Sequence, residues 1–168
     1  MWDWNFAAMI FPQILKAMPV TIAATLVGFI FAMITGLLLA LARRSKLRPL
    51  KWLTVGFIEF VRSTPLLLQL FFIYNVLPFA GLTLSPFVAG VVGLGLHYST
   101  YISEVYRTGI DAVPKGQWEA SKALNFSKLQ TWFGIVLPQA IPPIIPVLGN
   151  YLILMFKETP LLSAISVV

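Results

Sequence analysis

Long runs without a charged residue dominate the chain, and short polar segments separate them. Residues 17–42 form one such run of 26 residues, and residues 63–103 form another of 41. About 20 apolar residues cross the hydrocarbon core of a bilayer. The first run therefore predicts one transmembrane helix. The second run would make a single helix about 60 Å long, so it predicts two spans joined by a turn at Pro78, Gly81 and Pro86.

Both spans of the long run need extra residues to reach full length. We expect the second helix to begin near Trp52 and the third to continue to about Gly109. A third charge-free run covers residues 129–156, predicts a fourth span and ends at Lys157-Glu158. This run contains Pro138, Pro142, Pro143 and Pro146. Because proline removes a backbone donor, and lipid does not tolerate exposed unpaired carbonyls, we expect an irregular span that faces a pathway or a partner.

Small residues recur every four positions within the first predicted helix. They are Ala24, Gly28, Ala32, Gly36 and Ala40. This spacing places them in one nearly straight groove, and in membranes such grooves allow close approach of another helix. The pattern predicts a packed neighbour, not a ligand.

Composition agrees with a membrane environment. Of 168 residues 58% are hydrophobic and only 11% are charged, whereas a soluble domain carries about 25% charged residues.

Five basic residues follow the first apolar run and include Arg43 and Arg44. By the positive-inside rule this loop is cytoplasmic and the N-terminus lies outside. The order of the charges disfavours a cleaved signal peptide, whose basic residues precede the apolar core. The net charge of +6 is explained by the basic residues of the predicted cytoplasmic loops, so it does not require a nucleic-acid partner.

Catalytic and cofactor chemistry has little support. The sequence has no cysteine and one histidine, His97, so disulfides, thiolate metal sites and multi-histidine metal sites are excluded within one chain. No phosphate-binding GxxxxGK[ST] loop and no GxSxG or HExxH motif occurs. An enzyme would need Glu59, Glu104, Glu158 and His97 to converge, which no spacing supports. We expect no catalytic site, no metal and no cofactor.

Residues 110–128 form a polar island between apolar runs. The helical spacing of Ala120, Ala123 and Leu124 predicts a short surface helix that opens after Pro114 and Gly116. Glu119 would then fall in the first turn, where the helix dipole favours an acid. Topology places the island in the cytoplasm.

This island and the start of the fourth predicted span resemble the cytoplasmic EAA signature of ABC importer permeases, EAA-x3-G-x9-I-x-LP. Glu119-Ala120-Ser121 is followed at the signature's spacing by Asn125 and then by Ile135-Val136-Leu137-Pro138. Ser121 replaces an alanine and Asn125 replaces the glycine. Asparagine is the residue that best tolerates the left-handed conformation after glycine, so we expect the same turn.

More of the chain is similar to the polar amino-acid branch of these permeases, over nearly all of residues 10–168. The matching segments are Glu59-Phe-Val-Arg62-Ser-Thr-Pro-Leu-Leu-Leu-Gln69, Tyr101-Ile-Ser-Glu104-Val-Tyr-Arg107-Thr-Gly-Ile, Val113-Pro-Lys-Gly-Gln-Trp-Glu119, Leu137-Pro-Gln-Ala140, Leu148-Gly-Asn150 and Lys157-Glu-Thr159. The whole sequence also resembles ectoine and hydroxyectoine permeases.

The resemblance implies an all-α type I importer permease, with residues 1–168 as one transmembrane domain and 110–128 as its cytoplasmic coupling loop. It implies a second permease, identical or paralogous, two ATPase subunits that hydrolyse ATP, an extracytoplasmic solute-binding protein, and the bacterial inner membrane. About four spans are present, and the branch has five, so we expect that a fifth is missing at the C-terminus. The implied ATPase-docking residues are Pro114, Lys115, Gly116, Trp118, Glu119, Ala120, Ser121 and Asn125.

Candidates for the solute pathway follow from charges and amides near the apolar runs. They are Glu59, Gln69, Lys157 and Glu158. Glu59 either lines the pathway or pairs with Arg62 three residues later. Lys157 and Glu158 contact either both ends of a zwitterion or only each other at the interface. The spacing of Glu104, Arg107 and Asp111 instead predicts a network on the helix surface, and His97 is expected to pack between helices.

The function expected from this resemblance is alternating-access import of a polar amino acid or an ectoine-like zwitterion. An ABC permease for another small solute is the first alternative. A membrane anchor or assembly protein without transport activity is the second, and it would show its polar side chains paired and dry.

Overall fold

The structure is a computed structural model that describes residues 3–167, and every regular element in that range is helical. The α-helices are α1 Trp4–Arg43, α2 Arg48–Arg62, α3 Leu66–Phe71, α4 Pro86–Asp111, α5 Lys115–Ala123, α6 Lys128–Thr131 and α7 Leu137–Glu158. π-helical turns occur at Phe72–Val76 and Trp132–Val136, and 3-10 turns at Leu77–Ala80 and Thr159–Ile165. The all-α class is confirmed. Residues 1, 2 and 168 of the predicted domain lie outside the described part.

Helix α1 is longer than the predicted span at residues 17–42. It starts at Trp4, where the Asp3 side chain accepts hydrogen bonds from the backbone N–H groups of Asn5 (2.9 Å) and Phe6 (3.2 Å). The exposed Lys16 interrupts the apolar run without ending the helix, because a charge on one face leaves the backbone hydrogen bonds intact. Hydropathy alone therefore placed the helix start too late.

The groove of small residues on α1 packs against α4, as its spacing predicts. All five positions are buried. A Cβ built on Gly36 would lie 2.9 Å from the backbone oxygen of Ser99 and 3.0 Å from Cγ2 of Ile102. The two backbones can approach this closely only because no side chain separates them.

The second predicted span is sharply bent, contrary to the expectation of a single helix from Trp52. Helix α2 and the segment Leu66–Ala80 meet at 106°. Pro65 causes the break, because a proline disfavours the helical conformation of the residue before it and has itself an extended backbone here (ψ 138). The chain then turns at Gly81, whose φ of 84° requires glycine or a similarly tolerant residue, and α4 begins at Pro86.

Two helical stretches are long and apolar enough to cross a bilayer, α1 and Lys128–Ile165, and the bent pair would make a third. Helix α4 has 26 residues, about 39 Å, but it carries more polar side chains. Ser99, Thr100 and Ser103 are buried, and each hydroxyl donates to a carbonyl three residues earlier at 2.7 Å. Protein surrounds α4, since it packs against α1, α3 and α7. Its membrane crossing, and hence the count of four spans, stays a prediction.

The proline-rich stretch is helical, which corrects the expectation of an irregular span there. Helix α7 continues through Pro142, Pro143 and Pro146 and ends at Glu158. The irregular part lies upstream, in the π turn Trp132–Val136. Each interior proline leaves the carbonyl four residues earlier without its usual backbone donor. The helix therefore lacks some of its hydrogen bonds, although its backbone stays helical through the prolines.

Candidate functional site

The predicted short surface helix exists as α5, directly after Pro114. It begins at Lys115, two residues before the predicted opening, so Gly116 lies inside its first turn. Glu119 is the fifth residue of α5 and falls in the second turn, which corrects its expected position. The dipole argument for an acid therefore does not apply to Glu119, because the effect is confined to the first turn.

The end of α5 has the turn that the signature predicts. Asn125 has a left-handed backbone with φ 55°. Its N–H donates to the Lys122 carbonyl and the next N–H, of Phe126, donates to the Ser121 carbonyl, both at 3.0 Å. This pair of bonds is a Schellman motif, which usually needs glycine at the left-handed position. The expectation that Asn125 supports the glycine turn is confirmed.

One face of α5 is held against the rest of the protein. The rings of Trp118 and Trp132 stand edge to face, with centroids 5.4 Å apart at 85°. Ser121 is 1% exposed, and its hydroxyl donates to the Trp118 carbonyl at 2.8 Å. Trp118 and Ser121 thus lie on the inner face of α5, where they pack against the protein and stabilise the helix. The other implied docking residues are exposed: Pro114, Lys115, Gly116, Glu119, Ala120 and Asn125.

The pathway candidate Glu59 does not pair with Arg62. Glu59 is exposed and forms no ion pair with any described residue. The Arg62 guanidinium instead lies over the ring of Tyr101, 4.8 Å from its centroid. A cation over an aromatic face is attracted to the π-electrons and keeps its charge available.

Gln69 holds the bend between α2 and α3. Its Nε2 donates to the carbonyl of Val61 at 2.7 Å, to the carbonyl of Thr64 at 3.0 Å and to the Thr64 hydroxyl at 2.7 Å. Its Oε1 lies 3.3 Å from Nδ1 of His97 on α4. The amide thus donates to carbonyl groups at the end of α2, where a helix has too few backbone donors for its last carbonyls. His97 is half-buried among helices, as expected.

Lys157 and Glu158 point to different places, as neighbouring residues on a helix do. Glu158 is half-buried and its Oε2 accepts a hydrogen bond from the Tyr98 hydroxyl at 2.8 Å. Lys157 is exposed and lines a cavity of about 460 Å³ between α1 and the C-terminal 3-10 turn. The two side chains therefore share no cavity.

A second cavity, of about 320 Å³, lies between α2, α4 and α7. Its polar walls are formed by Arg62, Tyr101, Glu104, Thr108 and Tyr151. None of the four pathway candidates lines it. Sequence reasoning missed Tyr101 and Tyr151 of this cavity. A signal existed for Tyr101, because Tyr101, Glu104 and Thr108 recur at helical spacing on one face of α4.

The predicted network on α4 is present and larger than expected. Arg107 pairs with both Glu104 and Asp111, the latter at 2.7 Å. Arg43 reaches Glu104 at 2.7 Å and Arg44 reaches Asp111 at 2.6 Å. Residues of the basic loop thus fasten the end of α1 to the end of α4. No cluster of three potential metal ligands occurs within residues 3–167.

Comparison with known proteins identifies one matching family over residues 28–166, described as the binding-protein-dependent transport system inner membrane component. A probable amino-acid ABC transporter permease of Sinorhizobium fredii is 45% identical over 97% of this chain and 71% of its own length. The L-cystine transport system permease TcyB of Bacillus subtilis is 44% identical over 88% of this chain and 63% of its own length. The chain therefore spans about two thirds of these relatives.

Solved structures agree with the sequence relatives. A crystal structure of an amino acid ABC transporter with histidines superposes with a TM-score of 0.91 at 35% identity, covering 99% of this chain and 78% of that chain. An inward-facing structure of the MetNI methionine ABC transporter gives a TM-score of 0.67 at 19% identity over 98% of this chain and 77% of that chain. The second match bears on the fold alone.

Proposed function

This chain belongs to the family of inner membrane components of binding-protein-dependent transport systems, and from that premise we propose that it is a permease subunit importing a polar amino acid. Relatives named for amino acids, cystine and glutamine support this class of solute. An ectoine-like zwitterion carries one positive and one negative charge, as an amino acid does, so both kinds of solute are included in the transport test described below. On this proposal ATP is hydrolysed by separate subunits, and a second permease and a binding protein complete the transporter.

The observation that carries the proposal is the geometry of α5. Its exposed residues Glu119 and Ala120 precede a left-handed turn at Asn125, as the importer signature requires. We assign the exposed face of α5 to contact with the ATPase. In this role residues 110–128 act as the coupling loop, on the cytoplasmic side, and the N-terminus lies outside.

The packing beneath α5 supplies a route for mechanical coupling. Trp118 packs on Trp132, and both lie against a buried cluster of Ile110, Val113, Val136 and Ala140. This cluster joins the end of α4 to the start of α7. Because α4 and α7 also line the 320 Å³ cavity, a displacement of α5 by the ATPase would move the walls of that cavity. In this proposal, the packed contacts from α5 to α4 and α7 transmit the movement of the ATPase to the cavity walls, and this movement opens the cavity to one side of the membrane at a time.

The polar side chains suit a zwitterionic solute. Arg62 has no carboxylate partner among the described residues, and Glu158 receives only the uncharged Tyr98 hydroxyl. Both keep a charge available to a passing carboxylate or ammonium group. Glu59 and Lys157 are exposed, and we place them at the edges of the pathway. Gln69 contributes by shaping the bend beside it.

The test is solute-stimulated ATP hydrolysis and uptake by the reconstituted full-length transporter with its binding protein, against a panel of amino acids and ectoines. We expect one or more amino acids to stimulate both activities. Glu119→Lys should uncouple ATP hydrolysis from uptake, whereas the conservative Glu119→Gln should retain most coupling. Glu158→Gln should reduce uptake while leaving basal hydrolysis intact.

Two outcomes would decide against the proposal. If no solute in the panel stimulates hydrolysis, the chain is not an amino-acid permease. If Glu119→Lys behaves as the unmodified protein, α5 is not the ATPase contact, and the non-transporting membrane anchor becomes the better interpretation.

A further inference from the structure

A third cavity, of about 400 Å³, opens where the end of α1, the start of α2 and the end of α4 meet. Four cations line it, and they are Arg43, Arg44, Lys51 and Arg107. Asp111 is the carboxylate among the described lining residues. This cavity is separate from the one between α2, α4 and α7, and neither the coupling surface nor the pathway uses it.

The charges around this cavity do not balance. Two carboxylates, Glu104 and Asp111, are shared by the three guanidinium groups of Arg43, Arg44 and Arg107. Lys51 forms no ion pair with any residue that the structure describes. Four positive charges thus face two negative charges, and the excess lies in a concave site. Field lines are focused in such a site, which increases its attraction for an anion.

The apolar surroundings point to an anion that carries hydrocarbon. Trp52 lines the cavity and is 72% exposed. Tryptophan is enriched where a membrane meets water, since its ring is apolar and its N–H is polar. Leu41 on α1 and Leu53 on α2 are also exposed beside the basic residues. These side chains suit contact with the acyl chains of such an anion.

We propose that this cavity binds the phosphate headgroup of an anionic phospholipid, whose acyl chains lie along the exposed apolar sides of α1 and α2. Basic pockets between membrane helices on the cytoplasmic side are suited to such headgroups. Because the positive-inside rule places the Arg43 loop in the cytoplasm, the lipid belongs to the cytoplasmic leaflet. The bound phosphate offsets the excess charge and fastens the start of α2 to the ends of α1 and α4.

Lys51 is the residue to change, because its loss breaks no ion pair in the fold. Arg48 begins α2, carries the same charge and does not line the cavity, so Arg48→Gln is the matched control. The intact transporter, in nanodiscs or detergent, would be exchanged with phosphatidylglycerol or phosphatidylcholine, and retained lipid counted by native mass spectrometry. Inorganic phosphate serves as the probe without acyl chains.

We expect phosphatidylglycerol to be retained in preference to phosphatidylcholine. Lys51→Gln should lower its retention about fivefold, Lys51→Arg should preserve it, and Arg48→Gln should have a smaller effect than Lys51→Gln. Retention should also weaken as salt rises, since exposed charges are screened.

Three results would overturn the assignment. They are equal retention of the two lipids, equal effects of Lys51→Gln and Arg48→Gln, and displacement of the lipid by inorganic phosphate as effectively as by phosphatidylglycerol. If Lys51→Gln releases the ATPase but not the lipid, the surface is a protein contact instead. Uptake measured on the same preparations tests the importer function separately, because the lipid site can fail while transport remains.

Discussion

The hydroxyl of Tyr98 donates a 2.8 Å hydrogen bond to the carboxylate of Glu158 and so ties the middle of α4 to the last residue of α7. Tyr98 is buried and stands edge to face with Tyr151 on α7, with centroids 6.1 Å apart. The hydroxyl orients the carboxylate without neutralising it. One contact therefore joins two helices and positions a charge for the proposed pathway.

Replacing Tyr98 with phenylalanine should remove this bond and little else. Hydrogen bonds to charged groups contribute about 1.5–3 kcal/mol, so Tyr98→Phe should lower the free energy of unfolding of the transporter by a similar amount. Thermal unfolding in detergent would measure it. Tyr74→Phe is the control, because Tyr74 is partly buried against the same core and its hydroxyl forms no hydrogen bond with any residue in the range 3–167. Equal melting temperatures of the two variants would contradict the role assigned to the bond.

Gly36 should not tolerate even one added carbon. In Gly36→Ala the new Cβ would lie 2.9 Å from the Ser99 backbone oxygen, so α1 and α4 must separate. Overpacking of this kind costs about 1–3 kcal/mol. Gly56→Ala on α2 is the control, since no atom lies within 4 Å of its added Cβ, and alanine is the better helix former. We expect unfolding temperatures to fall for the first variant and to hold or rise for the second.

Gln69 should be needed for the bend of the second span. Gln69→Leu removes the side-chain donor of the Thr64 carbonyl and one of the two side-chain donors of the Val61 carbonyl, at a cost of about 1–3 kcal/mol. Asn75→Leu is the control, because the Asn75 amide is exposed and bonds only within its own helical turn. Limited proteolysis at residues 63–65, together with thermal unfolding, would report the loss. A Gln69→Leu protein as resistant as Asn75→Leu would show that Pro65 alone holds the bend.

Asn125 provides a test of the turn after α5. Asn125→Gly should be neutral or slightly stabilising, because glycine has no Cβ to crowd the left-handed backbone. Asn125→Ala should cost about 1 kcal/mol, because alanine keeps the Cβ but lacks the short polar side chain that helps asparagine adopt this conformation. The comparison of the two variants controls for loss of the amide. Their melting temperatures and their ATP-coupled uptake should fall in the same order. If alanine equals glycine, φ at this residue is not a constraint on the proposed coupling loop.

Much of the fold was predictable because its causes are local. Long apolar runs identify membrane helices through the cost of transferring charge into lipid, and Gly81, Pro86 and Pro114 mark turns through their own backbone preferences. The same holds for α5 and the left-handed Asn125. Predictions from local sequence were wrong in two places. At Lys16 a charged residue did not end the helix, because a charge on one face leaves the backbone hydrogen bonds intact. At Pro142 and its neighbours the prolines did not break the helix.

The sequence by itself determined the helical class, the turns at Gly81 and Asn125, the groove of small residues on α1 and the importer signature, since each depends on residues close together in the chain. Only the tertiary structure decided that α4 fills that groove, that Gln69 closes the bend at 106°, that Arg62 lies over Tyr101 and that Tyr98 meets Glu158. These contacts join residues on different helices, and they depend on how far each helix is rotated and displaced against its neighbour. Spacing along one chain carries no information on that rotation.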